Sequence, residues 1–315
     1  MKILLTGAAG FIGFHTAKAL LERGDEVIGF DNFSPYYDPQ LKEARAAELE
    51  GKKGWTMIRG DILDRKMLQK AMHGVDRVCH LAALAGVRYS FEHPDEYIDI
   101  NIRGFFNVIE EVRAQKIPGL IYASSSSVYG NAAKLPCSEE DRTDRQESLY
   151  GMNKKDNELM AYTYFATHGV RSTGLRFFTV YGPWGRPDMA LFLFTEALLK
   201  GRPLKIFGQG KMQRDFTYVD DIVQGIISSI EKNFDCEIFN LGCGKTEELM
   251  EYVRMVEQSC GKEAQKEYLP MQPGDVRATA ADISKAKTLL GFSPKTTIAE
   301  GVPRFVEWFR KYYRL

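Results

Sequence analysis

The sequence predicts an α/β protein with a doubly wound parallel sheet, followed by a smaller C-terminal α/β domain. In the first half of the 315-residue chain, short apolar runs alternate with amphipathic stretches. This alternation is typical of parallel strands joined by crossover helices. A glycine-rich turn, TGAAGFIG, directly follows the first apolar run. Together the two features indicate a Rossmann-type sheet.

The strands and helices are predicted in chain order from the apolar runs and from helical periodicity. We expect strands at Lys2–Thr6, Glu26–Phe30, Thr56–Arg59, Arg77–Leu81, Leu120–Ser124, Ser172–Phe177 and Cys236–Asn240. We expect helices over His15–Arg23, Arg65–His73, Tyr97–Gln115 and Ser148–His168.

The texture of the sequence changes near residue 180, where turn-rich stretches such as YGPWGR and GQGK interrupt the alternation. We therefore expect a first domain over residues 1–178 and a second, smaller one made mainly of residues 179–315. The strand at Cys236–Asn240 suits the large sheet. Residues 216–243 are therefore expected to return to the first domain.

Composition excludes several classes of protein. The 42 basic and 42 acidic residues balance, so no basic field indicates a nucleic acid or a membrane surface as partner. No apolar run approaches the ~18 residues of a membrane span, and MKILLTGAAG is too short an apolar start for a signal peptide. We expect a cytoplasmic protein with reduced thiols and no metal site, because its cysteines lack metal-ligand spacing: Cys79, Cys137, Cys236, Cys243 and Cys260.

The glycine-rich turn predicts a dinucleotide site. Gly7, Gly10 and Gly13 lie three residues apart between a strand and a helix, where the backbone can approach a pyrophosphate at the helix N-terminus. Asp31 closes the second strand, and a carboxylate there accepts hydrogen bonds from ribose hydroxyls and repels a 2′-phosphate. NAD is therefore the predicted cofactor. Neighbouring residues complete this part of the predicted site: Phe11, Ile12, Asn32, Ser34 and Ile62.

Further cofactor contacts are expected at the ends of the next strands. Asp61 follows the third strand and is either a partner of the adenine amino group or a helix cap. Leu81, Ala82 and Ala83 follow the fourth strand, where small residues let the backbone pass close to a cofactor. Asn101 lies on the following helix, and its amide is expected to brace the wall of the site.

The stretch SLYGMNKKDN places Tyr150 four residues before Lys154, hence on the same face of a helix. An ammonium group one turn away, together with a positive nicotinamide ring, favours the phenolate form of a tyrosine and suits it to act as a base. Upstream, ASSSSVYG places hydroxyl groups at the end of the fifth strand, and ligands bind at such strand ends. One of these serines can share a substrate proton with Tyr150.

These motifs resemble those of the extended short-chain dehydrogenases/reductases, and within that group those of the nucleotide-sugar epimerases. The resemblance runs over nearly the full chain, through TGAAGFIG, HLAALAGVR, SSSSVYG, YGMNK, LRFFTVYGPWGRPDMA, GQGKMQRDFTYVDD and PGDVRATAAD. It is strongest to bacterial UDP-glucuronate 4-epimerases, on account of DNFSPYYDPQLKEAR and GPWGRPDMA. It implies that residues 179–315 mainly bind a nucleotide sugar.

The resemblance implies a reaction and roles for individual residues. Hydride would pass from carbon 4 of UDP-glucuronate to NAD while Tyr150 removes the hydroxyl proton. The 4-keto sugar would then rotate, and hydride would return to its other face to give UDP-galacturonate. Ser125 would be the catalytic hydroxyl group, and Lys154 would also hold the nicotinamide ribose. Arg214 and Arg277 would bind the diphosphate, unless they form surface salt bridges with Asp215 or Asp275; Arg88 would bind a phosphate or the carboxylate.

The two residues after Ser125 separate this chain from related activities. Dehydratases of the group resemble one another in an Asp-Glu pair there, and decarboxylases usually carry a glutamate at the second position; this chain has Ser126 and Ser127. Hydroxyl groups at these serines and at Thr179 would suit a bound carboxylate and hold its breaking bond out of line with the ketone. Arg186 is either a second partner of that carboxylate or a contact between domains.

Other functions stay open at this point. A UDP-glucose 4-epimerase, a UDP-glucuronate decarboxylase or a nucleotide-sugar dehydratase would share the oxidation step, and a cofactor sensor would share only the fold. The resemblance also implies a homodimer formed through a four-helix bundle of Tyr97–Gln115 and Ser148–His168. Met160, Tyr164 and Phe165 suit either that interface or the core.

Overall fold

The computed structural model describes residues 1–131 and 134–315. Its strands are labelled in chain order: β1 Lys2–Thr6, β2 Glu26–Asp31, β3 Trp55–Arg59, β4 Arg77–His80, β5 Leu120–Ser125, β6 Ser172–Phe177, β7 Thr179–Tyr181, β8 Leu204–Phe207, β9 Gln213–Arg214, β10 Phe216–Tyr218, β11 Cys236–Leu241, β12 Glu247–Glu248 and β13 Lys266–Leu269.

The helices are labelled in the same way: α1 Phe11–Glu22, α2 Pro39–Ala47, α3 Arg65–Ala71, α4 Tyr89–Glu92, α5 Pro94–Tyr97, α6 Phe105–Ala114, α7 Leu149–His168, α8 Ala190–Leu199, α9 Val219–Lys232, α10 Leu249–Cys260, α11 Ser284–Leu290 and α12 Ile298–Tyr313. A π-helical segment spans Ile98–Gly104, and short 3₁₀ turns span Ser126–Tyr129 and Gly208–Gly210.

Seven parallel strands form the central sheet in the order β11-β6-β5-β4-β1-β2-β3. This confirms the predicted doubly wound class. Each of the seven predicted strands lies in this sheet, and β11 pairs in parallel with β6. The strand order reverses beside β1, which pairs with both β2 and β4. Because all seven strands run the same way, their carboxyl ends share one edge, where α/β folds bind ligands.

The helix predicted over Tyr97–Gln115 is divided in the structure. It comprises the end of α5, the π-helical segment and α6. In the π-helical segment the carbonyl group of Asn101 accepts a hydrogen bond from the Asn157 side chain on α7, at 2.8 Å. A wider turn frees carbonyl groups from the helical pattern, so the segment can bond to α7. Apolar periodicity does not distinguish the two kinds of turn.

The C-terminal part is built on three two-stranded pairs, β10 with β7, β12 with β9 and β13 with β8. Helices α8, α10 and α12 pack around them through aromatic residues, such as Phe192 against Phe309 at 5.0 Å between ring centroids. One continuous apolar cluster joins these residues to those of the sheet. Among the described residues, no helix is both long and apolar enough to cross a membrane.

A buried ion pair joins α7 to the sheet. Arg176 on β6 donates two hydrogen bonds of 2.8 Å to Glu158 on α7, and both side chains are at most 3% exposed. Ser124 on β5 donates to the same carboxylate at 2.7 Å. Burial works to raise the pKa of Glu158, but the Arg176 guanidinium holds it below its usual value. The pair fixes α7 against the strand end that carries the serines.

We expect Arg176→Met to lower the free energy of unfolding by about 3–5 kcal/mol, because buried Glu158 would lose both hydrogen bonds from its buried counter-charge and keep only Lys155, at 3.4 Å, as a cationic partner. Urea denaturation at neutral pH measures this. Arg171→Met is the matched control, since Arg171 pairs with Asp235 where both side chains are exposed, and such a pair contributes about 0–1 kcal/mol. Equal losses in the two variants would contradict the stabilising role of the buried pair.

Candidate active site

A cleft of about 450 Å³ opens at the carboxyl edge of the sheet, between the sheet and the C-terminal part. Most of the residues predicted from the sequence form its wall: Gly7, Gly10, Phe11, Ile12, Gly13, Asp31, Asn32, Ser34, Asp61, Ile62, Leu81, Ala82, Ala83, Ser125, Ser126, Ser127, Tyr150, Lys154, Thr179, Arg186 and Arg214. Three others lie outside that wall: Arg88, Asn101 and Arg277.

The glycine turn is packed so closely that side chains would not fit. A Cβ atom on Gly7 would lie 2.7 Å from the Ala82 nitrogen, and one on Gly13 would lie 2.0 Å from the Gly7 oxygen. Gly7 also has a φ of +71°, which L-residues rarely adopt. Gly10 precedes α1 without a capping side chain, so the first amide groups of the helix face the cleft. This cradle fits a dinucleotide pyrophosphate.

Asp31 lies at the end of β2 and supports the same turn. Its carboxylate accepts hydrogen bonds from the amides of Ala9 at 3.0 Å and Phe33 at 2.8 Å. Lys42 on α2 lies nearby, is buried, and donates to the Ser34 carbonyl at 2.8 Å. Burial lowers the pKa of Lys42, and the charge of Asp31 opposes that shift. Sequence reasoning missed Lys42, because its distance from Asp31 depends on how α2 folds back.

The sequence left two roles open for Asp61, a contact with the adenine amino group and a helix cap. Its carboxylate accepts from the Leu63 amide at 2.8 Å and from the Asn32 side chain at 2.9 Å. The cap of α3 is Asp64, which accepts from the amides of Lys66 and Met67 at 3.1 Å. Asp61 therefore shapes the turn before the helix and lies in the cleft wall, where a contact with adenine stays a prediction.

Asn101 contacts the loop after β4 and not the cleft. Its side chain accepts from the amide of Leu84 and donates to the carbonyl of the same residue, both at 2.9 Å. The loop that follows Leu81 is thereby held against the π-helical segment. A direct contact of Asn101 with a cofactor stays a prediction, whereas the bracing of the wall is visible in these two hydrogen bonds.

Tyr150 and Lys154 both face the cleft from the first turns of α7. Ser148 caps this helix by accepting from the Gly151 amide at 3.0 Å. The Lys154 ammonium donates to the Ala123 carbonyl at 2.9 Å, which ties it to β5. Ser125 ends β5, and its hydroxyl oxygen accepts from the Ser127 amide at 3.1 Å. The strand end and the helix thus bring the three groups to one place.

Burial controls the protonation of these groups. It raises the pKa of Tyr150, while a hydrogen bond with Ser125 and the charge of Arg186 work in the opposite direction. Burial lowers the pKa of Lys154 to about 8. The side chains of this chain therefore keep the phenol protonated near neutral pH. A further positive charge beside the phenol, such as a nicotinamide ring, would favour the phenolate.

Arg186 enters the cleft from the loop after β7 and is oriented by Asp188. Its Nε and Nη2 atoms donate to the two carboxylate oxygens, at 3.0 and 2.5 Å. Tyr36 donates to the Ala85 carbonyl at 2.5 Å and also contacts Asp188 at 3.2 Å. Thr179, Ser126 and Ser127 line the same part of the cleft. Nothing in the spacing of the sequence predicted the contacts of Tyr36 and Asp188.

The three arginines predicted to bind phosphate differ in their surroundings. Arg214 lines the cleft and donates to the carbonyl groups of Gln213 and Arg277, at 2.9 and 3.2 Å. The salt bridge considered with Asp215 does not form, because that buried carboxylate accepts instead from the amides of Cys243, Gly244 and Ala281.

The carboxylate of Asp275, which lines the cleft, pairs with Arg88 at 3.2 Å. The phosphate contacts stay predictions.

Among residues 1–131 and 134–315, no three His, Cys, Asp or Glu side chains are grouped so as to hold a metal ion. The donors in the cleft are hydroxyl, amide and cationic groups, which suit an anionic organic ligand.

Comparisons with known proteins identify the family to which this chain is similar. The model of the NAD dependent epimerase/dehydratase family matches residues 3–242. A probable UDP-glucuronate 4-epimerase of Rhizobium meliloti is 44% identical, with 100% of this chain and 98% of the relative covered. UDP-glucuronate 4-epimerase 4 of Arabidopsis thaliana is 46% identical, with 99% and 76% covered.

A solved structure also matches over the whole chain. It is the UDP-glucuronic acid 4-epimerase of Bacillus cereus in complex with UDP-glucuronic acid and NAD. It is 37% identical, with a TM-score of 0.95 and coverage of 99% of this chain and 100% of that one.

The pKa of Lys154 predicts a pH dependence of stability. The ordinary value is 10.5 and the value in the folded protein is about 8. Between these the unfolded chain binds more protons, so the free energy of unfolding rises with pH across that window. Lys154→Met should remove this rise, up to about 3 kcal/mol in full. Urea denaturation at several pH values from 7 to 10 measures the difference between the two proteins.

Lys70→Met is the control, because the Lys70 side chain is exposed and its amine stays in water in both states. The difference between this variant and the wild type should not change with pH. If the difference for Lys154→Met were also constant, burial would not control the titration of Lys154.

Proposed function

The chain belongs to the NAD dependent epimerase/dehydratase family, and we propose that it inverts carbon 4 of UDP-glucuronate to give UDP-galacturonate. One observation carries the proposal: Tyr150, Lys154 and Ser125 meet the glycine cradle in one cleft, and Arg186 lies on the same wall. A hydride-accepting cofactor, a proton acceptor and a cation for a carboxylate are what this reaction needs. The relatives described above support the same assignment.

Bound NAD would accept a hydride from carbon 4 of the sugar and return it. The cradle of Gly7, Gly10 and Gly13 would hold its pyrophosphate, and Asp31 would bind its adenosine ribose. The remaining predicted residues around the cradle would complete the cofactor site: Phe11, Ile12, Asn32, Ser34, Asp61, Ile62, Leu81, Ala82 and Ala83. Lys154 would hold the nicotinamide ribose while donating to the Ala123 carbonyl.

Two side chains would bind and transfer the proton of the sugar 4-hydroxyl group. Tyr150 would take it up and later return it, and Ser125 would share it by hydrogen bonding. The position of Ser125 is fixed by its bond from the Ser127 amide. The position of Tyr150 is fixed by α7, which is anchored through Glu158. A site in which both groups are held in place before substrate binds requires little rearrangement.

Arg186 supports a uronate over a neutral hexose as substrate. Its Nε and Nη2 atoms bond to Asp188, which leaves Nη1 to meet a carboxylate. The hydroxyl groups of Ser126, Ser127 and Thr179 lie on the same wall and are suitable donors to it. Neither serine can act as the carboxyl acid or base of an elimination. Arg214 and Arg277 are proposed to bind the diphosphate, and Arg88 a phosphate or the carboxylate.

We also propose that residues 1–178 and 216–243 act as the cofactor domain and the rest of 179–315 as the nucleotide-sugar domain. A cytoplasmic location is supported by the five free cysteines, because thiols stay reduced in that compartment.

Purified protein with UDP-glucuronate, followed by proton NMR, tests the function. We expect UDP-galacturonate to appear without accumulation of reduced cofactor, because the hydride returns to the sugar. Tyr150→Phe should lower the rate by about 10²–10⁴-fold through loss of proton transfer, whereas Tyr313→Phe, whose side chain does not line the cleft, should not change it. A UDP-pentose product would instead indicate a decarboxylase. Turnover of UDP-glucose alone would retain the chemistry and refute the uronate pocket.

We further propose a homodimer formed through the π-helical segment, α6 and α7. Leu159 and Tyr162 on α7 are 53% and 63% exposed, and Phe106 and Ile98 add exposed apolar surface on the neighbouring elements. For Met160 and Tyr164 the sequence allowed either the interface or the core; both side chains are partly buried and pack against the core. Exposed apolar side chains grouped on neighbouring elements support such an interface.

The double substitution Leu159→Glu and Tyr162→Glu should convert the dimer to a monomer, because two charges would enter the apolar interface of each copy. Sedimentation velocity at micromolar concentration measures the mass. Leu193→Glu is the control, since Leu193 is also exposed but lies on α8, outside the proposed interface. A monomeric wild-type protein would refute the proposal.

A further inference from the structure

The two stretches on which the resemblance most depends, DNFSPYYDPQLKEAR and GPWGRPDMA, contact each other in the structure. Arg45, at the end of the first, donates to the Trp184 carbonyl in the second at 2.6 Å. Tyr36 in the first contacts Asp188 in the second at 3.2 Å. The loop over residues 182–189, here called the Arg186 loop, is therefore supported from the segment that follows Asp31.

Arg45 also supports the glycine turn. Its Nη1 atom donates to the Ala9 carbonyl at 3.0 Å and to the Tyr37 hydroxyl at 2.6 Å. The amide of Ala9 donates to Asp31, so this residue of the dinucleotide turn is held at both its nitrogen and its oxygen. One guanidinium group thus bonds to the cofactor cradle and to the Arg186 loop.

The charge of Arg45 is unusual in its environment. The side chain is fully buried, yet all four of its acceptors are neutral oxygens, of Ala9, Tyr37, Trp184 and Gly185. Within the described part of the chain, no carboxylate lies within 4.0 Å of it, in contrast to Arg176 with Glu158. A buried charge without a counter-charge is destabilising. The pyrophosphate expected at the glycine cradle would bring negative charge close to it.

The Arg186 loop depends on this support. Trp184 has a φ of +62°, a conformation that is unfavourable for residues other than glycine. Its carbonyl group is held by Arg45, and its ring packs on Phe14 of α1 with 5.5 Å between centroids. Two residues later, Arg186 reaches the cleft, where its charge acts on Tyr150. A shift of Trp184 would therefore displace Arg186.

We propose that Arg45 is a positioning residue that fastens the Arg186 loop to the dinucleotide turn, so that binding of the dinucleotide fixes Arg186 beside Tyr150. The first part concerns only this chain and NAD. The consequence for a uronate substrate rests on the proposed function, because Arg186 can bind a substrate carboxylate only if the substrate is a uronate.

Hydrogen–deuterium exchange with and without saturating NAD tests the link directly. In the wild type, NAD should slow exchange in the glycine turn and also in residues 182–189. In Arg45→Met, the glycine turn should still be protected while the effect on residues 182–189 is lost. Arg59→Met is the matched control. Exposed Arg59 on β3 bonds to Glu43, which lies on α2 as Arg45 does, but it bonds to neither loop. This variant should behave as the wild type does.

Arg45→Lys provides a second variant in case the methionine variant fails to fold, as judged by its thermal unfolding. A lysine keeps the charge but lacks the planar fork that reaches both loops, so it should also lose the NAD effect on residues 182–189. Unchanged protection of this loop by NAD in folded Arg45→Lys or Arg45→Met would overturn the proposal. So would absence of NAD protection of the loop in the wild type.

The consequence for substrate is measured by binding in a Tyr150→Phe background, which prevents turnover. With NAD present, Arg45→Met should weaken UDP-glucuronate binding about tenfold relative to UDP. Combining it with Arg186→Met should add nothing, because Arg45 acts through Arg186. Multiplied losses would refute that route. If the wild type did not prefer UDP-glucuronate to UDP-glucose, the proposed substrate would fail, whereas the exchange result would still decide the role of Arg45.

Discussion

The close packing of backbone at the glycine turn is the constraint on which the rest of the structure depends. Gly13 lies against the Gly7 carbonyl and Gly7 lies against the loop after β4, so α1 begins directly at the sheet edge. Any side chain at these positions would push the helix away from β1. The free amides of α1, the carboxylate of Asp31 and the loop after Leu81 meet at one point as a result. Each later feature of the cleft is built outward from there.

Two kinds of buried cation occur among the described residues. Arg176 and Glu158 neutralise each other and give α7 a fixed position. Lys154 and Arg45 have only neutral acceptors and lie beside the cleft or its glycine turn. An ion pair can serve packing alone, but an unpaired buried cation is unfavourable unless a ligand supplies the opposite charge. The location of the unpaired cations therefore points to the place where an anionic cofactor and substrate bind.

Much of the fold and part of the site followed from local sequence patterns. Apolar runs predicted the seven strands, because buried strands need consecutive apolar residues. Glycine spacing predicted the turn after β1, because close backbone contact excludes side chains there. The pairing of Tyr150 with Lys154 depended only on helix geometry. The π-helical segment Ile98–Gly104 was not predicted, because apolar periodicity does not distinguish it from an α-helix; its hydrogen bond from Asn157 joins residues that are distant in the chain. The sequence left open whether Met160 and Tyr164 on α7 face the core or an interface, because that depends on how the core packs.

The sequence by itself determined the class of fold, the glycine-rich turn, the acidic residue at the end of β2 and the tyrosine–lysine pair, because each is specified within a few neighbouring residues. Only the tertiary structure decided that Asp215 is occupied by backbone amides, that Tyr36 contacts Asp188, and that Arg45 joins two loops. These contacts join residues that are far apart in the chain, and their partners are set by how α2 and the loop after β7 fold over the same sheet edge. Distances between such side chains arise from packing and have no local signal.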